Sequence, residues 1–418
     1  MRRIVALLLL AGCDPYAAWP DPHDVFPWGV APEEDLPDYA LVRVETETWT
    51  PLVDLPETAM YIQKSVEHKP SAPAEELQHF AVMRSQLPAL QAGPRLSLVG
   101  DVMRFSGNWA HFADDAAPLL DGDLRAGNLE TPVSDLHPVD RPSWPPTTAS
   151  TPSTARQAAR RAARRRAGHE QPHHRSRRCR PGAHPRARRR LGAAARGRRR
   201  PAGAGAGRRR DRQLVAFTWG LNAHGPTAHD LHVVPFGHLG ERIDLAPIRA
   251  AVQAARDDGA DVVAVMVHWG YEYEYYPDPH FLQLGRRIVS LGADLVVGSG
   301  PHAVEPAEIC EVNRPLAPPG RGRCSVRDDR GLPRTAAILY SLGDFGTALA
   351  TVPLQVGLVA SVSLDPDRGV TGLGWQAVAS VAEGGGQRLV PLEDLADDPA
   401  YADEAARLAQ LLGVRWRR

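Results

Sequence analysis

Residues 262–273 have the sequence VVAVMVHWGYEY, in which the apolar run from Val262 to Val267 leads directly into His268. An apolar run this short, bounded by polar residues and glycine, fits a buried strand better than a helix, which needs more residues. The stretch therefore predicts a strand inside a layered domain, with polar side chains at its carboxyl end.

Three further runs of the same kind are Leu96 to Val99, Asp294 to Val297 and Ala336 to Tyr340. Stretches with helical spacing lie at Ala74 to Leu87, Leu245 to Asp257 and His280 to Leu291. Strands that alternate with helices predict an α/β layered domain, with its site on the loops after the strands. We expect this domain to span residues 94–365, preceded by a tether and extension at 14–93 and followed by a C-terminal extension at 366–418. An alternating pattern at 42–48 predicts one more strand, within the extension.

Most of the predicted strands end in groups that could bind a metal. The motifs are Gly100-Asp101, Gly127-Asn128-Leu129-Glu130, His268-Trp269-Gly270-Tyr271-Glu272-Tyr273, Gly298-Ser299-Gly300-Pro301-His302 and Tyr340-Ser341-Leu342-Gly343-Asp344-Phe345. Carboxylates and imidazoles that meet at one rim could hold two divalent ions and support phosphoester hydrolysis. Each motif alone has a simpler interpretation: Gly-Asp is a common turn, and His268 could be a core histidine with its hydrogen bonds satisfied. We interpret Tyr271 to Tyr276 as a packed aromatic edge.

In this order, the motifs resemble the bacterial capsule-synthesis (CapA-like) branch of the calcineurin-like metallophosphoesterases, over residues 94–365 apart from a basic tract. The resemblance implies a four-layer αββα sandwich, a role in the synthesis of poly-γ-glutamate or another capsule polymer, and divalent ions such as Mn, Fe, Zn or Mg. It implies that Asp101 is a first-metal ligand and that Glu130 is a bridging ligand. His268 and His302 would be further ligands with catalytic roles, and Asn128 and Asp344 would support the site.

The chain departs from the family pattern in three places. Gly300 stands where the family commonly has histidine, and Asp344 stands where it usually has asparagine. An Asn-Asn-His segment expected between Glu130 and His268 is absent. The predicted metal site is therefore incomplete.

The basic tract, residues 154–213, contains 22 arginines and two acidic residues in a chain of zero formal charge. Its one large aliphatic residue is Leu191, so we expect it to be disordered. One hypothesis is a frameshift from about Ser143 to about Leu214, because a shifted reading of the codons for residues 168–173 permits Asn-Asn-His. The other is a genuine tract that binds nucleic acid or anionic lipid by counterion release. We favour the first and do not expect a nucleic-acid partner.

The first 13 residues have the layout of a secretory signal: two arginines, the apolar run Ile4 to Leu10, and Leu-Ala-Gly before Cys13. This ending resembles a lipobox and predicts a lipoprotein of the cell envelope, anchored to the membrane by lipid on Cys13. A buried helix is the alternative. An exported location would permit a disulfide between Cys310 and Cys324, and free thiols are equally compatible with the sequence.

Three functions fit these observations. The first is a metal-dependent, phosphoester-hydrolase-like envelope protein with a capsule polymer or another phosphoester as substrate. The second is a non-catalytic envelope protein that holds a polymer or a membrane synthase partner in the same cleft, which the missing ligands favour. The third is binding of nucleic acid or anionic lipid through the arginine tract.

Overall fold

The computed structural model describes residues 29–30, 72–103, 109–130, 212–218, 244–314, 324–347, 349, 351–383 and 386–413. Cys13, the strand predicted at 42–48 and most of the basic tract lie outside the described residues. Among the helices of the described ranges, none has the length and apolar character that crossing a bilayer requires.

The fold is a mixed α/β arrangement of helices on a curled, branched sheet. The helices are α1 (Ala74–Gln86), α2 (Trp109–Leu119), α3 (Ala246–Asp257), α4 (Pro279–Ser290), α5 (Val352–Gln355) and α6 (Ala402–Leu412), with a 3-10 helix at Leu392–Leu395. The strands are β1 (Gly29–Val30), β2 (Arg95–Val102), β3 (Leu124–Leu129), β4 (Arg212–Thr218), β5 (Val262–His268), β6 (Leu295–Ser299), β7 (Ala307–Val312), β8 (Cys324–Val326), β9 (Arg334–Leu339), β10 (Val356–Asp365), β11 (Gly369–Glu383) and β12 (Gly386–Pro391).

The sheet has two branches that meet at β9. In the first branch, β4, β5, β6 and β9 run parallel, and β9 also pairs with antiparallel β7, followed by β8 and β1. In the second branch the order is β3, β2, β10, β11 and β12, with β2 and β3 parallel. The two branches are joined by the pairing of Thr335 in β9 with Gly369 in β11.

The predicted strands and helices of the domain are confirmed, with boundaries that move by a few residues. One part of the basic-tract prediction is wrong. Its last two residues, Arg212 and Gln213, begin β4 and pair with Val262 and Val263 of β5, so the expected disorder cannot extend to residue 213.

The apolar run in β5 is buried on both faces of the sheet. Val263, Val265 and Val267 share a core cluster with residues of α3 and α4. The alternate residues Val262 and Ala264 belong to a second cluster, which includes residues of both branches. Successive side chains of a strand point to opposite faces, so a strand covered on both sides reads as continuous apolar sequence.

Helix α4 begins and ends where local sequence favours it. The Asp278 side chain caps the helix by accepting a hydrogen bond from the His280 N–H at 3.0 Å, and Pro279 occupies the first helical position, where its missing N–H has no cost. Gly292, just past the end, has a φ of 102°, which suits a residue without a side chain.

Helix α1 is tied to the sheet by a buried polar network, which we call the Glu308 network. His79 Nε2 lies 2.6 Å from Glu308 Oε1, the Arg286 guanidinium pairs with both oxygens of Glu308, and the Tyr340 hydroxyl donates to Oε2 at 2.9 Å. Glu308 has no exposed surface. The network therefore connects α1, α4, β7 and the end of β9.

The described C-terminal strands continue the second branch. β10 and β11 pair antiparallel over residues 356–365 and 369–379, so the predicted domain boundary at residue 365 falls at the turn between two paired strands. In the first branch, Cys310 and Cys324 form a disulfide between β7 and β8. This is one of the two alternatives that the sequence leaves open.

Candidate metal centre

The predicted ligands converge at the carboxyl ends of parallel strands from both branches. Asp101 and Asn128 lie near the ends of β2 and β3, and Glu130 directly follows β3. His268 ends β5, and His302 follows β6 by three residues. Parallel strands place their carboxyl ends on one edge, which explains why residues far apart in sequence meet here.

Asp101 is the residue around which the centre is built, and it is fully buried. Its Oδ1 accepts a hydrogen bond from Asn128 Nδ2 at 2.6 Å, and its Oδ2 accepts one from the Gly300 N–H at 2.8 Å. Its backbone is held as well, because its N–H donates to the Gly343 carbonyl and its carbonyl accepts from the Phe345 N–H. The carboxylate therefore has a fixed position.

His268 faces Asp101 from the first branch. Its Nδ1 lies 3.1 Å from Asn128 Nδ2, 3.2 Å from Ser299 Oγ and 3.6 Å from Asp101 Oδ1. Burial opposes protonation, but the hydrogen bond and negative charge of Asp101 outweigh it and raise the pKa of His268.

His302 lies between three carboxylates. Its Nδ1 is 3.0 Å from Asp344 Oδ1 and 3.8 Å from Asp101 Oδ2, and its Nε2 is 3.8 Å from Glu130 Oε1. Burial opposes its charge, yet Asp344 and the other two carboxylates hold its pKa well above the usual value. Its φ of 59° is unusual for a residue with a side chain, a strain that often accompanies functional sites.

The three carboxyls have different proton affinities. Burial would raise the pKa of Asp101, but the hydrogen bond and charge of His268, the charge of His302 and the Asn128 amide lower it to about 2. Burial raises the pKa of Asp344 to about 7 although His302 opposes the shift. Burial also raises the pKa of Glu130. Asp101 is thus ionised at neutral pH, whereas a nearby positive charge would favour ionisation of the other two.

The residues present fit a divalent cation. Two groups of residues each offer ligand atoms that lie within 4.8 Å of one another. One group is Asp101, Glu130 and His268, and the other is Asp101, His302 and Asp344. Glu130 Oε2 and Asp344 Oδ2 are buried and accept no hydrogen bond from any described residue. Buried carboxylate oxygens without a partner are costly, and a cation would satisfy them.

Comparison with known proteins agrees with the sequence pattern. The family model described as "Bacterial capsule synthesis protein PGA_cap" matches residues 148–348. The chain is 46% identical over 50 residues to the "PGA biosynthesis protein CapA" of Bacillus subtilis (strain 168), which is 12% of this chain and 13% of that protein. It is 36% identical over 101 residues to the "Capsule biosynthesis protein CapA" of Bacillus anthracis, 23% of this chain and 24% of that protein.

Residues 148–348 are thus similar to the CapA capsule-synthesis family, and the two shorter alignments agree with this similarity. The segments aligned with these two CapA proteins span about an eighth and a quarter of their lengths. The CapA-family match contains His268, His302 and Asp344, whereas Asp101 and Glu130 lie before its first residue.

All six residues predicted for the site meet at this centre, and the individual roles that CapA-family resemblance implies for them remain predictions. The structure adds residues that the sequence does not predict as members of the site. Ser299 contacts His268, and the Gly300 N–H contacts Asp101. Tyr273 has a φ of 70°, its N–H donates to the Pro301 carbonyl at 2.7 Å, and its ring centroid is 6.1 Å from that of His302. The sequence could have pointed to Ser299, Gly300 and Tyr273 only through their place within the CapA-like motifs.

Gly300 cannot be replaced by the histidine of the CapA pattern in this backbone. Its φ is 114°, and a Cβ atom built on it would lie 2.3 Å from the Trp269 carbonyl oxygen. Gly300→Ala should therefore lower the free energy of unfolding by about 2–4 kcal/mol through strain and overpacking, measured by chemical denaturation.

The matched control is Gly331→Ala, since Gly331 also has a positive φ, 65°, but has open space around it. It should lose only about 1 kcal/mol. Equal losses for the two variants would show that the contact with Trp269 does not restrict position 300.

Proposed function

We propose that the protein is a phosphoester-hydrolase-like member of the CapA family that acts in the cell envelope with divalent cations bound at this centre. The observation that carries the proposal is the convergence of two carboxylate–histidine groups on Asp101, with unpartnered buried oxygens on Glu130 and Asp344. The names of the two CapA relatives support a role in capsule or poly-γ-glutamate biosynthesis.

The proposed architecture is the four-layer sandwich of the calcineurin-like metallophosphoesterases. Three core clusters support it: one joins α3 and α4 to the first branch, one contains residues of both branches, and one joins α2 to the second branch. Such an order of layers would place the ligands at one edge of two facing sheets.

Each polar residue at the centre has a chemical task in this proposal. Bound divalent cations would lower the pKa of water and neutralise negative charge on a phosphoester. Asp101, ionised at neutral pH, is the fixed anionic ligand, and Asn128 and the Gly300 N–H hold its two oxygens in place. His302 Nε2 lies on the side of the ring that faces Glu130 and can carry the ring proton when Nδ1 binds a cation.

Envelope attachment through lipid on Cys13 is part of the proposal, as is a capsule polymer or another phosphoester as substrate. A membrane synthase is the partner that this location would favour.

The test is hydrolysis of bis(4-nitrophenyl) phosphate by the purified full chain. We expect hydrolysis with added Mn²⁺, its loss after treatment with EDTA, and its return when Mn²⁺ is added back. Absence of hydrolysis with Mn²⁺, Fe²⁺, Zn²⁺ and Mg²⁺ in turn would contradict a hydrolytic role.

The second candidate is a non-catalytic protein that holds a polymer or a synthase partner in the same cleft. The conformation of Gly300 favours it, because the backbone there excludes the histidine ligand of the CapA pattern. Calorimetry separates the two: Mn²⁺ binding without hydrolysis, or no Mn²⁺ binding at all, would support this candidate.

A further inference from the structure

We propose that Asp344 is a direct ligand of a divalent cation, which it holds together with Asp101 and His302, at a position distinct from the Asp101, Glu130 and His268 group. The inference rests on the proposed function, because it concerns the same centre. It changes the role of Asp344 from a supporting residue to a metal ligand.

The first observation is that the two carboxylate oxygens of Asp344 differ in their hydrogen bonding. Oδ1 lies 3.0 Å from His302 Nδ1, which accounts for one oxygen. Oδ2 is buried and accepts no hydrogen bond from the residues that the structure describes. A buried acceptor without a partner lowers the stability of the fold unless a cation or a hydrogen-bond donor lies beside it.

The second observation is that the side chain has little freedom to move away. Asp344 is 1% exposed, and its backbone forms a bridge with Asp101. The residues on either side are also bonded to Asp101: the Gly343 carbonyl accepts from its N–H, and the Phe345 N–H donates to its carbonyl. Asp344 is therefore held beside Asp101 by the backbone hydrogen bonds of its two neighbours.

A purely orienting role for Asp344 would need only one oxygen. In that role His302 would bind the cation through Nε2 and donate its Nδ1–H to Oδ1, as metal-bound histidines commonly do. An asparagine at position 344 would keep an oxygen for that hydrogen bond. In the ligand role Nδ1, 3.0 Å from Asp344 Oδ1 and 3.8 Å from Asp101 Oδ2, would lose its proton and face the cation itself. The second, unpartnered oxygen is what distinguishes a ligand from a support.

The donor set indicates the kind of cation. Two carboxylates and one imidazole suit Mn²⁺, because carboxylate oxygen favours Mg²⁺, Ca²⁺ and Mn²⁺ and imidazole favours the transition metals. Mn²⁺ is also paramagnetic, so its binding can be followed by electron paramagnetic resonance without a substrate.

The experiment measures Mn²⁺ binding to the full chain by calorimetry and electron paramagnetic resonance, for the wild-type protein, Asp344→Asn and Asp329→Asn. Asp329 is a control of the same chemistry on an exposed ion pair with Arg249. We expect Asp344→Asn to lose one Mn²⁺ equivalent, while Asp329→Asn binds like the wild type. Loss of an orienting partner alone would weaken Mn²⁺ binding by about 10–100-fold and keep the number of bound ions.

Thermal unfolding separates a lost ligand from a damaged fold. Without metal, Asp344→Asn should melt near the wild-type temperature, because the variant loses a buried negative charge together with its ion pair to His302, two effects of opposite sign. With Mn²⁺ its melting temperature should rise less than that of the wild type. A ligand role predicts both results together, and a merely misfolded variant would melt lower without metal.

Wild-type Mn²⁺ stoichiometry in Asp344→Asn would overturn the inference and leave the proposed hydrolysis intact, because Asp344 would then only orient His302. No Mn²⁺ binding by the wild-type chain would overturn the inference and the proposed function together. Hydrolysis by the wild type combined with unchanged binding by the variant would overturn the inference alone.

Discussion

Replacement of Asp101 by asparagine is expected to abolish Mn²⁺ binding and to lower metal-dependent hydrolysis by at least about 1,000-fold. Loss of one electrostatic group that acts on the transition state commonly costs about 10²–10³-fold. Asp101 is common to both ligand groups, so its loss affects both at once. Calorimetry with Mn²⁺ and the rate of bis(4-nitrophenyl) phosphate hydrolysis measure the two effects.

The comparison with Asp344→Asn makes this prediction specific. Asp344→Asn leaves the group of Asp101, Glu130 and His268 complete, so it should keep part of the Mn²⁺ binding that Asp101→Asn loses. Asp329→Asn, at an exposed ion pair with Arg249, should leave both quantities unchanged. If Asp101→Asn bound Mn²⁺ as the wild type does, the site would have to lie elsewhere.

Glu308→Ala is expected to lower the free energy of unfolding by about 3–5 kcal/mol. Glu308 is fully buried, and the variant would leave the buried Arg286 guanidinium without its carboxylate and the Tyr340 hydroxyl without its acceptor. Removal of one partner of a buried ion pair leaves an uncompensated charge in a poorly solvated place. Urea unfolding, followed by circular dichroism, measures the loss.

The stability lost in Glu308→Ala should depend on pH. Burial would raise the pKa of Glu308, but the charges and hydrogen bonds of Arg286 and His79 lower it below its usual value of 4.5. A carboxyl with a lowered pKa stabilises the fold above its unfolded-state pKa, and this contribution fades as the pH falls below that value. The difference between wild type and variant should therefore be full at pH 7 and shrink in acid.

Asp329→Ala provides the control for Glu308, because the Asp329 side chain is 90% exposed and exposed ion pairs contribute little. Its free energy of unfolding should stay within about 0.5 kcal/mol of the wild type. A loss that is the same at pH 3 and pH 7 for Glu308→Ala would contradict the assignment of the effect to charge.

Local sequence predicts the strands and helices around the centre well. The run Val262 to Val267 becomes β5, and the stretch from Ala74 to Leu87 becomes α1, because burial on both faces of a strand and on one face of a helix leaves a clear pattern. The branching of the sheet at β9 leaves no such pattern. It depends on contacts such as Thr335 with Gly369, which are distant in sequence.

The centre was predictable as a set of residues because most of the predicted ligands lie at or just after the end of a strand, and parallel strands end on the same edge. Its internal connections were not. The Gly300 N–H bond to Asp101 is a backbone contact, which no residue type encodes, and the pairing of His302 with Asp344 depends on a positive φ at His302. Such details arise from packing of the whole domain.

The hydrogen bonds at Asp101 also have a consequence for the dynamics of the fold. Asn128 in the second branch contacts His268 in the first, and Gly300 in the first contacts Asp101 in the second. A cation bound among them would link the two branches and, at 100 times its Kd, stabilise the linked state by about 2.7 kcal/mol. Amide exchange in β2 and β6 would then slow together, and resistance to proteolysis would follow the supply of the ion.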